Sequence, residues 1–162
     1  TTGLRFFTVY GPLGRPDMAL NKFVKNIIFN KPIEIYNYGK HFRDFTYIDD
    51  VVNAVLKAII NIPKRKIIKF IGTDPSESYA PFRIINVGSN KPINLLACIK
   101  LIEKIIGKQA IKKFMPIQKG DVIKTHSDLT KIKRIFNYKP KTSIEDGLIS
   151  FIKWFKVYYK VN

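Results

Sequence analysis

Apolar residues recur at helical spacing in several stretches of this 162-residue chain, and short β-branched or aromatic runs lie between them. Residues 4–9 form such a run and end in a Tyr10-Gly11-Pro12 turn, which predicts an opening strand. Asp17, preceded by Pro16, is expected to cap a helix over residues 18–29, where Leu20, Phe23, Val24, Ile27 and Ile28 repeat on one face until Pro32. Residues 33–36 read as a short strand closed by Asn37-Tyr38-Gly39. Asp49 and Asp50 suit the first turn of a second helix that reaches about Ile60, with Val51, Val52, Val55, Ala58 and Ile59 as its buried stripe.

Residues 63–81 carry the weakest pattern: a lysine cluster, a candidate strand at 67–71 and a Gly/Asp/Pro/Ser loop. Residues 83–87 predict a strand ended by Gly88, and Asn94 a helix to about Ile106 that Gly107 stops. Residues 112–117 are a strand candidate and 128–136 a short helix. Ser143 with Asp146 forms a capping-box pattern for a last helix to about Tyr159. Helices alternating with short strands give the α/β class. The first strand is expected to belong to a parallel sheet whose other strands lie outside this chain, with the rest forming a small α/β lobe.

Composition narrows the function classes. No run of about 18 apolar residues exists, so no membrane-spanning helix is expected, and the start of the chain lacks the pattern of a signal peptide. The single cysteine, Cys98, sits in an apolar stretch and reads as a buried structural thiol, which agrees with a cytoplasmic setting. The net charge of +17 raises the question of nucleic acid. The lysines are scattered, however, with short clusters only at 64–66 and 112–113, and no zinc spacing or basic-aromatic repeat accompanies them. The expectation is no nucleic acid and no membrane, with a positive field that attracts an anionic ligand.

Two stretches carry chemistry: RFFTVYGPLGRPDMA at residues 5–19 and FRDFTYIDD at residues 42–50. In the first, a helix opens at Met18 and Ala19, and helix N-terminal amides favour a phosphate. Arg43 in the second can add a bidentate grip on phosphate oxygens, and Arg15 stands at the mouth of the first turn, where a second anion would need it. Read singly, both arginines are ordinary surface residues.

Their surroundings resemble the substrate-binding half of the extended short-chain dehydrogenase/reductases, most closely nucleotide-sugar epimerases of the UDP-glucuronate 4-epimerase kind. FFTVYGPLGRPDMAL and RDFTYIDDVV are the specific motifs; KPIEIYNYG, FRIINVGS, QKGDV and FNYKPKTSIEDGLISFIKWF follow in family order, so the likeness runs from Leu4 to Phe155. The resemblance implies an end piece of a Rossmann-type parallel sheet (residues 1–16) and a lobe, mainly for substrate, over residues 17–162, with an NAD-binding half upstream. It implies that Thr8 and Arg15 recognise a glucuronate carboxylate, that Met18 and Ala19 contact phosphate, and that Glu34 and Tyr36 lie on the strand whose backbone reads uracil. It further implies diphosphate binding by Arg43, ribose binding by Asp121, and a place for Phe7 near the nicotinamide. Gln118 stands where many epimerases carry an arginine, as the glucuronate group tolerates.

The intact enzyme implied by this resemblance inverts carbon 4 of UDP-glucuronate through a 4-keto sugar, with NAD as hydride carrier, in a homodimer. The cofactor would need a Gly-x-x-Gly-x-x-Gly turn, and the chemistry a Tyr-x-x-x-Lys helix. The chain has no such glycine turn; Gly11 and Gly14 have no third partner. Tyr36 and Lys40 have the Tyr-x-x-x-Lys spacing, but on a strand-turn that Gly39 would keep from being a helix. No catalytic residue is therefore expected in this chain, which is expected to be inactive alone and to carry no NAD. No metal site is expected either: His41 neighbours Arg43 and is expected to border the pocket, with no carboxylate or cysteine spaced to make it a ligand or a catalytic base, and His126 reads as solvated. A dehydratase or decarboxylase on the same scaffold, or a non-catalytic nucleotide-sugar-binding protein, remain alternatives at this point.

Overall fold

In the computed structural model, which describes residues 1–65 and 75–161, the opening apolar run makes two strands rather than one. β1 (Thr2–Phe6) pairs in parallel with β6 (Arg83–Val87). Phe7 still donates its N–H to the Val87 carbonyl (2.9 Å), where that ladder ends. The chain then changes neighbour, and β2 (Thr8–Tyr10) pairs in parallel with β5 (Phe45–Tyr47). β3 (Ile33–Ile35) pairs in parallel with β8 (Lys112–Phe114), and β4 (Phe42–Arg43) antiparallel with β7 (Ile93–Asn94). The α/β class with parallel strands is thus observed, but the first strand has a parallel partner, β6, inside the chain, contrary to the expectation that the other strands of its sheet lie outside it. The strand expected at 67–71 lies outside the described residues.

Among the described residues, five helices accompany these strands: α1 (Ala19–Ile28), α2 (Ile48–Ile60), α3 (Leu95–Ile106), α4 (Thr130–Phe136) and α5 (Ile144–Tyr158). Their ends show why they form. Asn94 Oδ1 accepts the Leu96 and Ala97 amides at the start of α3, and Gly107 closes that helix in the left-handed conformation (φ 76°). Ser143 Oγ accepts the Asp146 amide at the start of α5 (3.1 Å). α4 starts at Thr130 rather than 128, because the Asp128 carboxylate takes the Thr130 amide (2.8 Å) ahead of the first turn.

Two expectations for the helices are corrected. Asp17 does not cap α1: the helix begins one residue later, with Met18 at the cap position, and the Asp17 carboxylate is held by Arg15 instead. In α2 the buried positions are Asp50, Val51 and Ala54, whereas Val52 and Ile59 are 47% and 64% exposed. The stripe is rotated because the Asp50 carboxylate turns inward to accept the Lys141 and Thr142 amides at 2.9 and 3.0 Å. A buried acid with two backbone donors outweighs the apolar pattern there.

The apolar interior falls into two clusters. One joins Tyr10 of β2 to α1, α3 and α5 through Val24, Ile27, Ile99, Ile102, Phe151 and Phe155; the other joins α2, α4 and β6 through Ala54, Val87, Ile132 and Phe136, with Leu4 and Val9 packed on it. Cys98 is fully buried in the first cluster, which raises its thiol pKa to about 12 and leaves it unreactive. Among the described residues no helix is long and apolar enough to cross a membrane.

Gly147 on α5 is buried against Tyr10, and an added Cβ would overlap the phenol hydroxyl and come within 2.7 Å of Cζ. Gly147→Ala should therefore destabilise by about 1–3 kcal/mol, against the stabilisation of up to about 1 kcal/mol that helix propensity alone would give. Thermal unfolding of the variant checks the sign.

Candidate functional site

The change of neighbour at Phe7 opens a cavity of about 780 Å³ at the end of β2. Thr8, half-buried on β2, forms part of its wall, and the chain then turns through Gly11, whose φ of 139° and lack of a Cβ let it lie against Ile48 at the head of α2. That turn delivers Arg15, Met18 and Ala19 to the cavity. No side chain caps α1 and no acidic residue occupies its first turn. The helix start is therefore an electropositive wall suited to an anion.

Arg15 is ligated within its own turn. Its Nε and one terminal nitrogen reach the two Asp17 oxygens at 3.1 and 2.5 Å, and both side chains are largely exposed. The pairing raises the arginine pKa and lowers that of the aspartate, the shared hydrogen bond being the main cause in each. A ligand carboxylate at this place would exchange with Asp17 rather than meet a bare guanidinium.

On another wall, Glu34 of β3 and Tyr36 sit together, the Tyr36 hydroxyl donating to Glu34 Oε2 (2.9 Å). Residues Tyr36–Gly39 form a kinked turn rather than a regular helix, with Asn37 and Tyr38 both in the left-handed region at φ 51°. Tyr36 and Lys40 consequently do not share a helix face, as the sequence reading expected.

A further polar group of the site joins β4 to the 118–123 segment. Arg43 is 17% exposed; it donates to Asp121 Oδ1 (2.7 Å) and to the Phe42 and Ile123 carbonyls (both 3.2 Å). Gln118 lies on the same wall, and its carbonyl accepts the Asp121 amide (3.2 Å). Next to Arg43 in the chain, the fully buried Asp44 carboxylate ties two segments together. Oδ1 accepts the Ser89 amide and hydroxyl (2.9 and 2.5 Å); Oδ2 accepts the Asn90 amide (3.1 Å) and the Ser127 amide and hydroxyl (2.8 and 2.5 Å). Burial pushes its pKa up, but the hydrogen bonds from Ser127 and Ser89 outweigh it and hold the carboxyl below the usual range.

Eight of the residues singled out in the sequence therefore line one cavity: Thr8, Arg15, Met18, Ala19, Glu34, Tyr36, Arg43 and Asp121. Phe7 is half-buried at the strand junction and does not line it. Sequence reasoning overlooked Asp44 and placed His41 at the pocket border without a role. Asp44 left only the faint signal of an acid among alternating aromatics. His41, given no role, also lines the cavity, 3.4 Å from Asp121, a carboxylate 80 positions away that no local spacing could have revealed. His126 is exposed and contacts Asn90 Oδ1. Among the described residues no cluster of three or more His, Cys, Asp or Glu could hold a metal ion.

Comparison with known proteins agrees with this geometry. Residues 1–70 match the model of the NAD dependent epimerase/dehydratase family. Protein CapI of Staphylococcus aureus is 45% identical over 99% of this chain, and a probable UDP-glucuronate 4-epimerase of Rhizobium meliloti is 40% identical over 99%. The structure of UDP-glucuronic acid 4-epimerase from Bacillus cereus, in complex with UDP-glucuronic acid and NAD, superimposes with a TM-score of 0.80 at 34% identity, over 96% of this chain and 45% of that one. The chain spans about half the length of the curated relatives it matches, 48% for each of the two named. By sequence and by fold, the chain belongs to the NAD dependent epimerase/dehydratase family.

Proposed function

We propose that this chain binds and orients UDP-glucuronate for epimerisation at carbon 4, as the nucleotide-sugar-holding part of a UDP-glucuronate 4-epimerase. The observation that carries the reading is the single cavity on which an uncapped helix start, Arg43 and Arg15 converge. The α1 amides and Arg43 bind the diphosphate. Glu34 and Tyr36 border the base, Asp121 takes the ribose, and Thr8 with Arg15 holds the sugar carboxylate. The intact enzyme uses NAD, but the residues of this chain do not fit that cofactor's pyrophosphate: the sequence offers no phosphate-cradling glycine turn, and Phe7 is the one residue assigned a place near the nicotinamide. The work of these residues is binding and orientation, and the hydride step is not theirs.

Comparing UDP-glucuronate with UDP-glucose tests the reading. The neutral sugar gives Arg15 no anion, so the chain should bind UDP-glucuronate more tightly. The margin should be roughly two- to fivefold, since an exposed pair is well screened. Arg15→Ala should abolish that margin and leave UDP itself bound as before. Equal affinity of the wild type for both sugars, measured by calorimetric titration, would refute the glucuronate assignment.

A further inference from the structure

His41 stands just ahead of β4 with only 3% of its surface exposed, yet its side chain helps to wall the cavity. Its carbonyl accepts the Leu95 amide (2.9 Å), so the start of α3 fixes its backbone. Its Nε2 is buried and has no hydrogen-bond partner. Asp121 Oδ2 lies 3.4 Å away, within ion-pair range but without hydrogen-bond geometry. Burial first, and the neighbouring Arg43 second, push the imidazole pKa below its ordinary value; Asp121 opposes them incompletely. The ring is accordingly neutral at pH 7, free to donate or accept at Nε2 according to its tautomer.

Buried polar atoms are almost always paired, and an orphan on a cavity wall marks where a ligand atom belongs. The two oxygens of Asp121 differ in this respect. Oδ1 is taken by Arg43, whereas Oδ2 faces His41. A carboxylate oxygen and a neutral imidazole nitrogen side by side present one acceptor and one adaptable partner, across a span that two adjacent hydroxyls on one sugar ring can bridge.

We propose that His41 is a further ligand-binding residue: it takes the ribose hydroxyl next to the one held by Asp121, and so makes the site selective for ribonucleotides over deoxyribonucleotides. The inference rests on the nucleotide-sugar reading above and adds a selectivity that this reading does not contain. His41 accomplishes this without charge, since the ring is neutral and the hydroxyl is neutral.

The test is a titration of the chain with UDP, 2′-deoxy-UDP and 3′-deoxy-UDP. Wild type should bind each deoxy form about five- to tenfold more weakly than UDP, the effect of one lost hydrogen bond. His41→Phe, which keeps the ring volume and removes both nitrogens, should erase the penalty for one deoxy form and retain it for the other, which reports Asp121. His41→Gln should restore part of the lost discrimination. Each ratio compares two ligands on one folded variant, so a general packing defect cancels. If the wild type binds UDP but His41→Phe and His41→Gln both leave the two ratios unchanged, Nε2 serves solvent and the inference fails alone. If the wild type does not bind UDP, the proposed function fails with it.

Discussion

Replacing Arg43 by alanine is expected to weaken UDP binding by about tenfold to a hundredfold, the cost of losing a charge-assisted hydrogen-bonding partner. Two effects add. The diphosphate loses its guanidinium, and the 118–123 segment loses the side chain that ties Asp121 and the Ile123 carbonyl to β4. Arg43→Lys separates them, because an ammonium keeps the charge but cannot span Asp121 and Ile123 as a planar fork does; it should fall between wild type and alanine. The loss should appear for UDP as well as for UDP-sugars, since the diphosphate is common to both. Unchanged UDP affinity in Arg43→Ala would return this residue to a purely structural pairing with Asp121.

Asp44→Ala should have the largest effect on stability, about 3–5 kcal/mol, because it removes the buried acceptor shared by the amides and hydroxyls of Ser89 and Ser127 and by the Asn90 amide. Asp44→Asn keeps one acceptor oxygen but turns an amide group toward N–H donors, so it should cost less. The pH dependence has a definite sign. The folded carboxyl titrates below its unfolded value of about 3.9, so its stabilisation is complete above that pH and is lost as the pH falls through the folded value. Urea unfolding should show the gap between wild type and Asp44→Asn wide at pH 7 and narrowing below pH 4. Equal stability of the two at pH 7 would mean that the carboxylate charge contributes nothing there.

What could be read in the sequence was whatever neighbouring residues determine. The Asn94 cap, the Gly107 stop, the Ser143–Asp146 box and the 83–87 strand are all local devices, and the structure has them where the sequence suggested. What could not be read depends on partners far along the chain. The break at Phe7 arises because β6 and β5 each claim one end of the run. The rotation of α2 arises because two amides near residue 141 draw Asp50 inward. Asp17 was misjudged for a nearer reason: Arg15, two residues away, competes for its carboxylate more strongly than the helix amides do. The site was legible as motif strings, whereas the contacts among His41, Arg43 and Asp121 bridge some 80 residues and exist only in the fold.

The opening strands also govern how the molecule comes apart. Residues 2–10 are one uninterrupted backbone stretch, yet Leu4 and Val9 pack on one apolar cluster and Tyr10 belongs to the other. Asp50 fastens the same two clusters a second time, from α2 to the backbone that leads into α5. Separating them would mean pulling a shared strand out of both and breaking a buried acid from its amides. The two cores are thus joined by a shared strand and by a buried acid, and a loss of packing in either is expected to weaken the other.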